Sequence, residues 1–269
     1  MPACLQSLKL EAFSCFSKSI NVIDKYLYDI EKIKTIKNIG SILSNCKLKR
    51  NYYTLIMKLE DLPKTIPIFP LSNFIMFPET TVPLNIFEPR YLQMVNDSMK
   101  GHRMIGMIQP KKSGMLKKPD VYEIGCIGKI TSFNETEDGR ILVILNGICR
   151  FKIISELKTD KLYRECEVQY KNFSDDISKK SKDIKFSDLN IIMENMKKFF
   201  KKQGYIVNLK DLEKKDLGQT LNDLSMASPF SLEEKQILLE SLDINSRKEK
   251  MEQILNNYIQ DEFENTTLQ

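Results

Sequence analysis

The 269-residue sequence holds a single histidine, His102. That scarcity excludes every metal or acid–base scheme needing two imidazoles, and a Cys–His or Ser–His pair would have to use this one residue. His102 lies in the basic run 100–103, a solvated setting that does little to activate a nucleophile. The six cysteines, Cys4, Cys15, Cys46, Cys126, Cys149 and Cys166, show no C-x-x-C spacing, so neither a zinc ribbon nor a thioredoxin-like motif is supported. No run of about 18 apolar residues exists to form an ordinary membrane span. The amino terminus lacks both a basic n-region and a continuous apolar h-region, so it does not read as a signal peptide. A G-x-x-x-x-G-K-[ST] loop is missing too, and with it the cradle of backbone amides that a triphosphate needs. Serines and lysines abound, but no motif pairs them as a dyad. These absences point to a cytoplasmic protein with no catalytic, cofactor-binding or metal-binding residues.

What is present begins with charge. The net charge of +5 and 29% charged residues are ordinary for a soluble chain. The lysines are spread along most of the sequence, so they read as a solvated surface rather than a nucleic-acid footprint.

The most informative stretch is 65–95, TIPIFPLSNFIMFPETTVPLNIFEPRYLQMV. Pro67, Pro70, Pro78, Pro83 and Pro89 punctuate short apolar runs, so no long helix can begin before Glu88. Residues 66–70 and 82–84 are therefore short extended pieces, for which proline favours edge positions or bulges. Pro89 suits a first helical turn, and Tyr91, Leu92 and Val95 then recur at helical spacing up to Gly101.

From Arg103 the period becomes that of strands. Residues 104–109 and 121–133 are rich in β-formers, with Gly125 and Gly128 placed where a strand bulges or bends. Asp138-Gly139 and Asn146-Gly147 predict two hairpin turns around a strand at 141–145, and Phe151, Ile153 and residues 163–170 continue an antiparallel meander. Such a sheet is expected to curl into a partly closed barrel. Residues 172–183 are polar and read as a linker. Beyond it Phe186, Leu189, Ile192, Met193, Met196, Phe199 and Phe200 line one helix face, and Leu217, Leu221 and Leu224 mark a second helix. Ser231 and Glu234 form a capping box opening a third helix through Ile237, Leu238 and Leu242, and Met251, Ile254, Leu255 and Tyr258 mark a fourth. The stripes read as bundle core.

The expected class is α+β, with an antiparallel β-barrel followed by a C-terminal helical bundle and preceded by a helical or poorly ordered N-terminal extension. The corresponding segments are an extension at 1–57, a barrel at 58–172, a linker at 173–184, a bundle at 185–260 and a frayed polar tail at 261–269. Within the extension Ile20, Ile23, Leu27 and Ile30 recur at helical spacing. Met57 also stands where an initiator would, which predicts a native protein lacking residues 1–56.

The words Ile68-Phe69-Pro70-Leu71, Pro83-Leu84-Asn85-Ile86-Phe87-Glu88-Pro89-Arg90-Tyr91 and Asp138-Gly139-Arg140 occur in a fixed order. They are followed by Gly147-Ile148-Cys149-Arg150-Phe151 and by the run 234–240, EKQILLE. In order and spacing they resemble the amino-terminal substrate-binding domain of Lon proteases, over about 66–258. The resemblance implies a PUA-like barrel followed by a helical bundle, and recognition of polypeptide rather than its cleavage. Full Lon proteases continue into ATPase and serine–lysine protease domains that this sequence does not show. The chain thus resembles the stand-alone proteins made of this region alone.

The expected partners are unfolded or hydrophobic polypeptide segments, with a separate protease or chaperone receiving the client as from an adaptor. The candidate contact residues are Phe74, Ile75, Met76 and Phe77, an apolar run between two prolines that offers a binding surface if exposed and a core plug if buried. Pro70, Glu88, Arg90, Tyr91, Gly147, Arg150 and Phe151 read as structural. Glu88 can accept backbone N–H groups at a helix start, and Arg150 is either an outward charge at a strand end or a buried clamp. The rival reading is RNA binding, since PUA-like barrels elsewhere bind RNA. It would use Lys100, His102, Arg103, Lys111, Lys112, Lys117 and Lys118 with the 197–202 cluster, but no aromatics are interleaved with the first run. Peptidase activity would follow only by transfer from full-length Lon, and no residues support it.

Overall fold

In the computed structural model, residues 58–72, 74–112, 118–178, 186–204 and 217–266 are described. The expectations for the N-terminal extension and for Met57 as an initiator lie outside them. Six strands come first: β1 (Thr65–Pro70), β2 (Thr81–Ile86), β3 (Met104–Ile108), β4 (Ile124–Glu135), β5 (Ile141–Glu156) and β6 (Arg164–Gln169), with helix α1 (Pro89–Lys100) between β2 and β3. A short α2 (Asp175–Ser178) leads to α3 (Phe186–Lys202), α4 (Leu217–Ala227), α5 (Leu232–Glu240) and α6 (Ile244–Thr266).

The strands lie in the order β2-β5-β4-β3-β1-β6, and a further β5–β6 pairing closes five of them into a barrel. Strand β5 makes this closure because it is long. Its residues 141–146 pair with β2, and residues 152–156 pair with β6. Strand β2 hangs outside the ring and is paired only to β5 among the described residues.

The sheet is mixed, not wholly antiparallel. Strands β1 and β3 run parallel, because the chain between them crosses over through β2 and α1. Strand β1 is also no edge strand, though Pro67 suggested one. Staggered pairing resolves this: Pro67 faces Glu165 of β6, while the register with β3 begins at Ile68. The ring at Pro67 therefore breaks no ladder on its other side.

Asn146-Gly147 does not turn the chain. Strand β5 runs straight through, and the Gly147 amide donates to the Thr80 carbonyl at 2.9 Å while its own carbonyl accepts from the Glu79 amide at 2.9 Å. A Cβ at Gly147 would lie 2.0 Å from the Phe77 carbonyl oxygen, so glycine is needed for close approach, not for a turn. Asp138-Gly139 does form the hairpin, with Gly139 at φ 77 and the Thr136 amide bonded to the Arg140 carbonyl. A β-bulge falls at Ile127/Gly128, one of the expected bends.

Ile66, Ile68, Ile127, Cys149 and Phe151 share the barrel interior, while Ile105, Met107 and Cys126 are buried on the other face of the sheet. Helix α1 lays Tyr91, Met94 and Val95 against it, and the Tyr91 ring meets Phe69 edge-on at 4.2 Å. In the helical half Ile192, Met196, Phe199 and Phe200 of α3 are buried, as are Leu224, Leu238 and Leu255. Two ends differ from expectation. Helix α5 stops at Glu240, leaving Leu242 68% exposed, and α6 continues to Thr266 where a frayed tail was expected. The supposed linker also contributes core, since Phe173 is buried.

Candidate functional site

The apolar run 74–77 is packed away. Ile75, Met76 and Phe77 are buried and only Phe74 is partly open. The physical cause is the turn that follows: Thr80 Oγ1 donates to the Phe77 carbonyl at 2.6 Å and accepts from its amide, which folds the run back onto β5 beside Gly147. In this arrangement the run presents at most Phe74 to a ligand, so the exposed apolar surface has to be sought elsewhere.

It lies on the outer face of the β2–β5–β4 ribbon. Directly paired residues share a face, and the register sets Pro83, Ile144 and Ser132 side by side, with Asn85, Leu142 and Asn134 in the next row. Alternation sends Val82, Ile86, Ile141, Val143 and Leu145 inward, where they are buried. The outward row keeps Pro83 exposed and Ile144 37% exposed. Phe87, just past the end of β2, is 62% exposed with the Arg140 guanidinium 5.9 Å from its ring centroid. Phe133 pairs with Val143 and so sits on the other face of the ribbon, 36% exposed toward the end of β4. Sequence reasoning placed Phe87 in a motif but missed this strip. Which face of each strand is wet depends on register, and Ile144 looks like core in a one-dimensional reading.

The charged motif residues pair with one another and with neighbouring elements. Glu88 is the N-cap residue of α1, yet its side chain makes no cap bond. Instead its carboxylate accepts from Arg90 Nε at 2.9 Å, and the Arg90 guanidinium lies 4.6 Å from the Tyr91 ring centroid. Arg150 is a buried clamp, 2% exposed, held by Asp176.

The chemistry of the described residues is quiet. Burial, and then the Asp176 carboxylate, push the Cys149 thiol far up, and burial lifts Cys166 to about 11. Neither supplies a thiolate near neutral pH. His102 is exposed, and no group of three His, Cys, Asp or Glu among the described residues could hold a metal. No described helix is long and apolar enough to cross a membrane.

The described residues thus form a small barrel, an edge ribbon with an apolar outer face and an appended helical half. Residues 65–257 match the family described as the ATP-dependent protease La (LON) substrate-binding domain, and the chain belongs to that family. The match is to this domain and to no catalytic domain. Among curated relatives, Lon protease of Desulfosudis oleivorans is 26% identical over 207 residues, covering 75% of this chain and 25% of that protein. Lon protease of Parabacteroides distasonis is 33% identical over 129 residues, covering 46% and 15% respectively. The chain thus spans about a quarter or less of the curated relatives it matches. The fold is shared with the Lon N-terminal domain protein from Xanthomonas campestris, at TM-score 0.51 and 21% identity over 72% of this chain and 98% of that one. It is shared as well with the N-terminal domain of Mycobacterium avium complex Lon protease, at TM-score 0.50, 13% identity and the same coverage.

Proposed function

We propose that this chain is a non-catalytic polypeptide-recognition module, binding unfolded or hydrophobic segments and serving as an adaptor for a separate cytoplasmic protease or chaperone. The observation that carries the reading is the strip of Pro83, Ile144 and Phe87, apolar side chains left in water on a ribbon whose opposite face buries Val82, Ile86, Ile141, Val143 and Leu145. Each apolar anchor buried on binding contributes about 1.5–3 kcal/mol, so two or three anchors supply about 3–9 kcal/mol before ordering costs, which holds affinity to the weak range, micromolar at its upper limit. That strength suits a reader of many sequences. Binding requires no ATP, since the sequence holds no phosphate-cradling loop.

The test is fluorescence anisotropy of a labelled, permanently unfolded protein titrated with the full chain, with a gel of the same mixture. Saturable binding, micromolar at its upper limit, is expected with the label intact, weakened about tenfold by Phe87→Ser with Ile144→Thr, equal to about 1.4 kcal/mol. Absence of binding would remove the reading, and cleavage of the label would show an enzyme. A labelled single-stranded RNA in the same assay covers the rival reading, whose signature would be affinity falling steeply with salt.

A further inference from the structure

Arg150 rises from β5 in the barrel, but its guanidinium ends in the helical half. Nε and Nη2 donate to the two carboxylate oxygens of Asp176 on α2 at 2.9 and 2.8 Å. Nη1 donates to the carbonyls of Leu239 and Ser241, and Nη2 to that of Leu242 at 3.1 Å. All five N–H groups of the fork are thereby used, and three of them close the carboxyl-terminal end of α5. The backbone amide of Arg150 donates to Asp176 as well, at 2.9 Å. A second cation reaches the opposite way. Arg247 of α6 sets its guanidinium 4.2 Å from the centroid of the Phe77 ring, with Nε on the Leu238 carbonyl at 3.0 Å and Nη1 on Asn222 at 2.6 Å.

Further polar contacts cross the seam. Gln236 of α5 donates to the Ile124 carbonyl at 3.1 Å, and Gln109, just past β3, donates to Gln236 Oε1 at 3.1 Å and to the Leu232 carbonyl at 3.2 Å. Oε1 of Gln109 is buried and has no partner among the described residues. A joint selected for stability alone would be apolar, because a buried ion pair contributes little net and an unmatched acceptor costs. Apolar contact is also non-directional, whereas a planar five-donor fork is satisfied in one geometry.

We propose that the Arg150–Asp176 fork is an orientation latch: it sets the angle at which the helical half sits on the barrel, and contributes little to the stability of either. Removing the fork while keeping the joint packed then frees the angle without unfolding the chain.

Two full-length variants test this, Arg150→Met with Asp176→Leu, and Arg150→Lys, each compared with wild type by thermal melting. Spin labels carried on encoded unnatural residues at the exposed positions Thr131 and Asn257 report the barrel-to-helix distance by electron double resonance. Wild type is expected to give one narrow distribution. The apolar pair is expected to melt within about 5 °C of wild type, a shift worth about 1–2 kcal/mol at this size, with a distribution at least twice as wide. The lysine variant, which keeps the charge and loses the fork, is expected to broaden likewise. A distribution as narrow as wild type in either variant would overturn the latch. So would a collapse of melting temperature in the apolar pair, which would make the fork a stability element.

Discussion

Lys235 carries its ammonium into the helical half, where Nζ donates to the Met226 carbonyl at 3.3 Å and the side chain is all but sealed from water. Burial is the cause that draws its pKa from 10.5 down to about 8. Below that pH the lysine is charged in both folded and unfolded chains, and the folded state carries the whole cost of desolvating it. Between about 8 and 10.5 the unfolded chain binds a proton that the folded one has shed, so this group makes stability rise with pH. The buried thiols act oppositely, since burial raises Cys166 to about 11 and unfolding would release its proton above about 9. A difference measurement isolates the lysine. Lys235→Met is expected to be more stable than wild type at pH 7.5, with the gap shrinking by about 2 kcal/mol at pH 9.5. Urea midpoints of both proteins at the two pH values check it, and a gap independent of pH would show that the ammonium finds compensation on folding. Nothing around Lys235 in the sequence announces this burial, because the run EKQ reads as the wet start of a helix.

Helix α5 shows what is legible one element at a time. Its box closes as the S-x-x-E spacing predicts: Ser231 Oγ accepts from the Glu234 amide at 3.2 Å, and Glu234 accepts from the Ser231 amide at 2.7 Å. The same carboxylate also accepts from the Tyr258 hydroxyl at 2.9 Å, tying the cap to α6. Ser231→Ala is expected to cost about 1 kcal/mol, read as a lower denaturant midpoint with unchanged slope. A cap is local, so three residues of sequence suffice to find it. The other end of α5 is not local. The stripe running on to Leu242 suggested a longer helix, but Arg150 takes the carbonyls of Leu239, Ser241 and Leu242, and Leu242 is left in solvent. Strand β5 teaches the same lesson, because Asn146-Gly147 carries the letters of a turn and the Phe77–Thr80 corner uses the glycine to press against the strand.

Across the whole molecule, one carboxylate serves two buried guanidiniums. Burial and then the neighbouring Arg150 pull the Arg247 proton affinity down, and Asp176 works against them. Asp176→Asn would leave Arg150 and Arg247 facing one another without that carboxylate, and is expected to cost about 3–5 kcal/mol, seen as a lower melting temperature. A loss under 1 kcal/mol would mean that water enters the joint. Asp176 looked like a linker residue because its partner stands 26 positions away on another element. Prolines, hairpin letters and helical stripes act over a few residues and sufficed for a barrel followed by helices, while the order and spacing of the motif words carried the resemblance to the family to which the chain belongs. The parallel β1–β3 pairing, the burial of Ile75, Met76 and Phe77, the wet face holding Phe87 and Ile144, and the reach of Arg150 needed the assembled chain. Each depends on which distant segment covers a residue, and that is settled by register and packing rather than by neighbours in sequence.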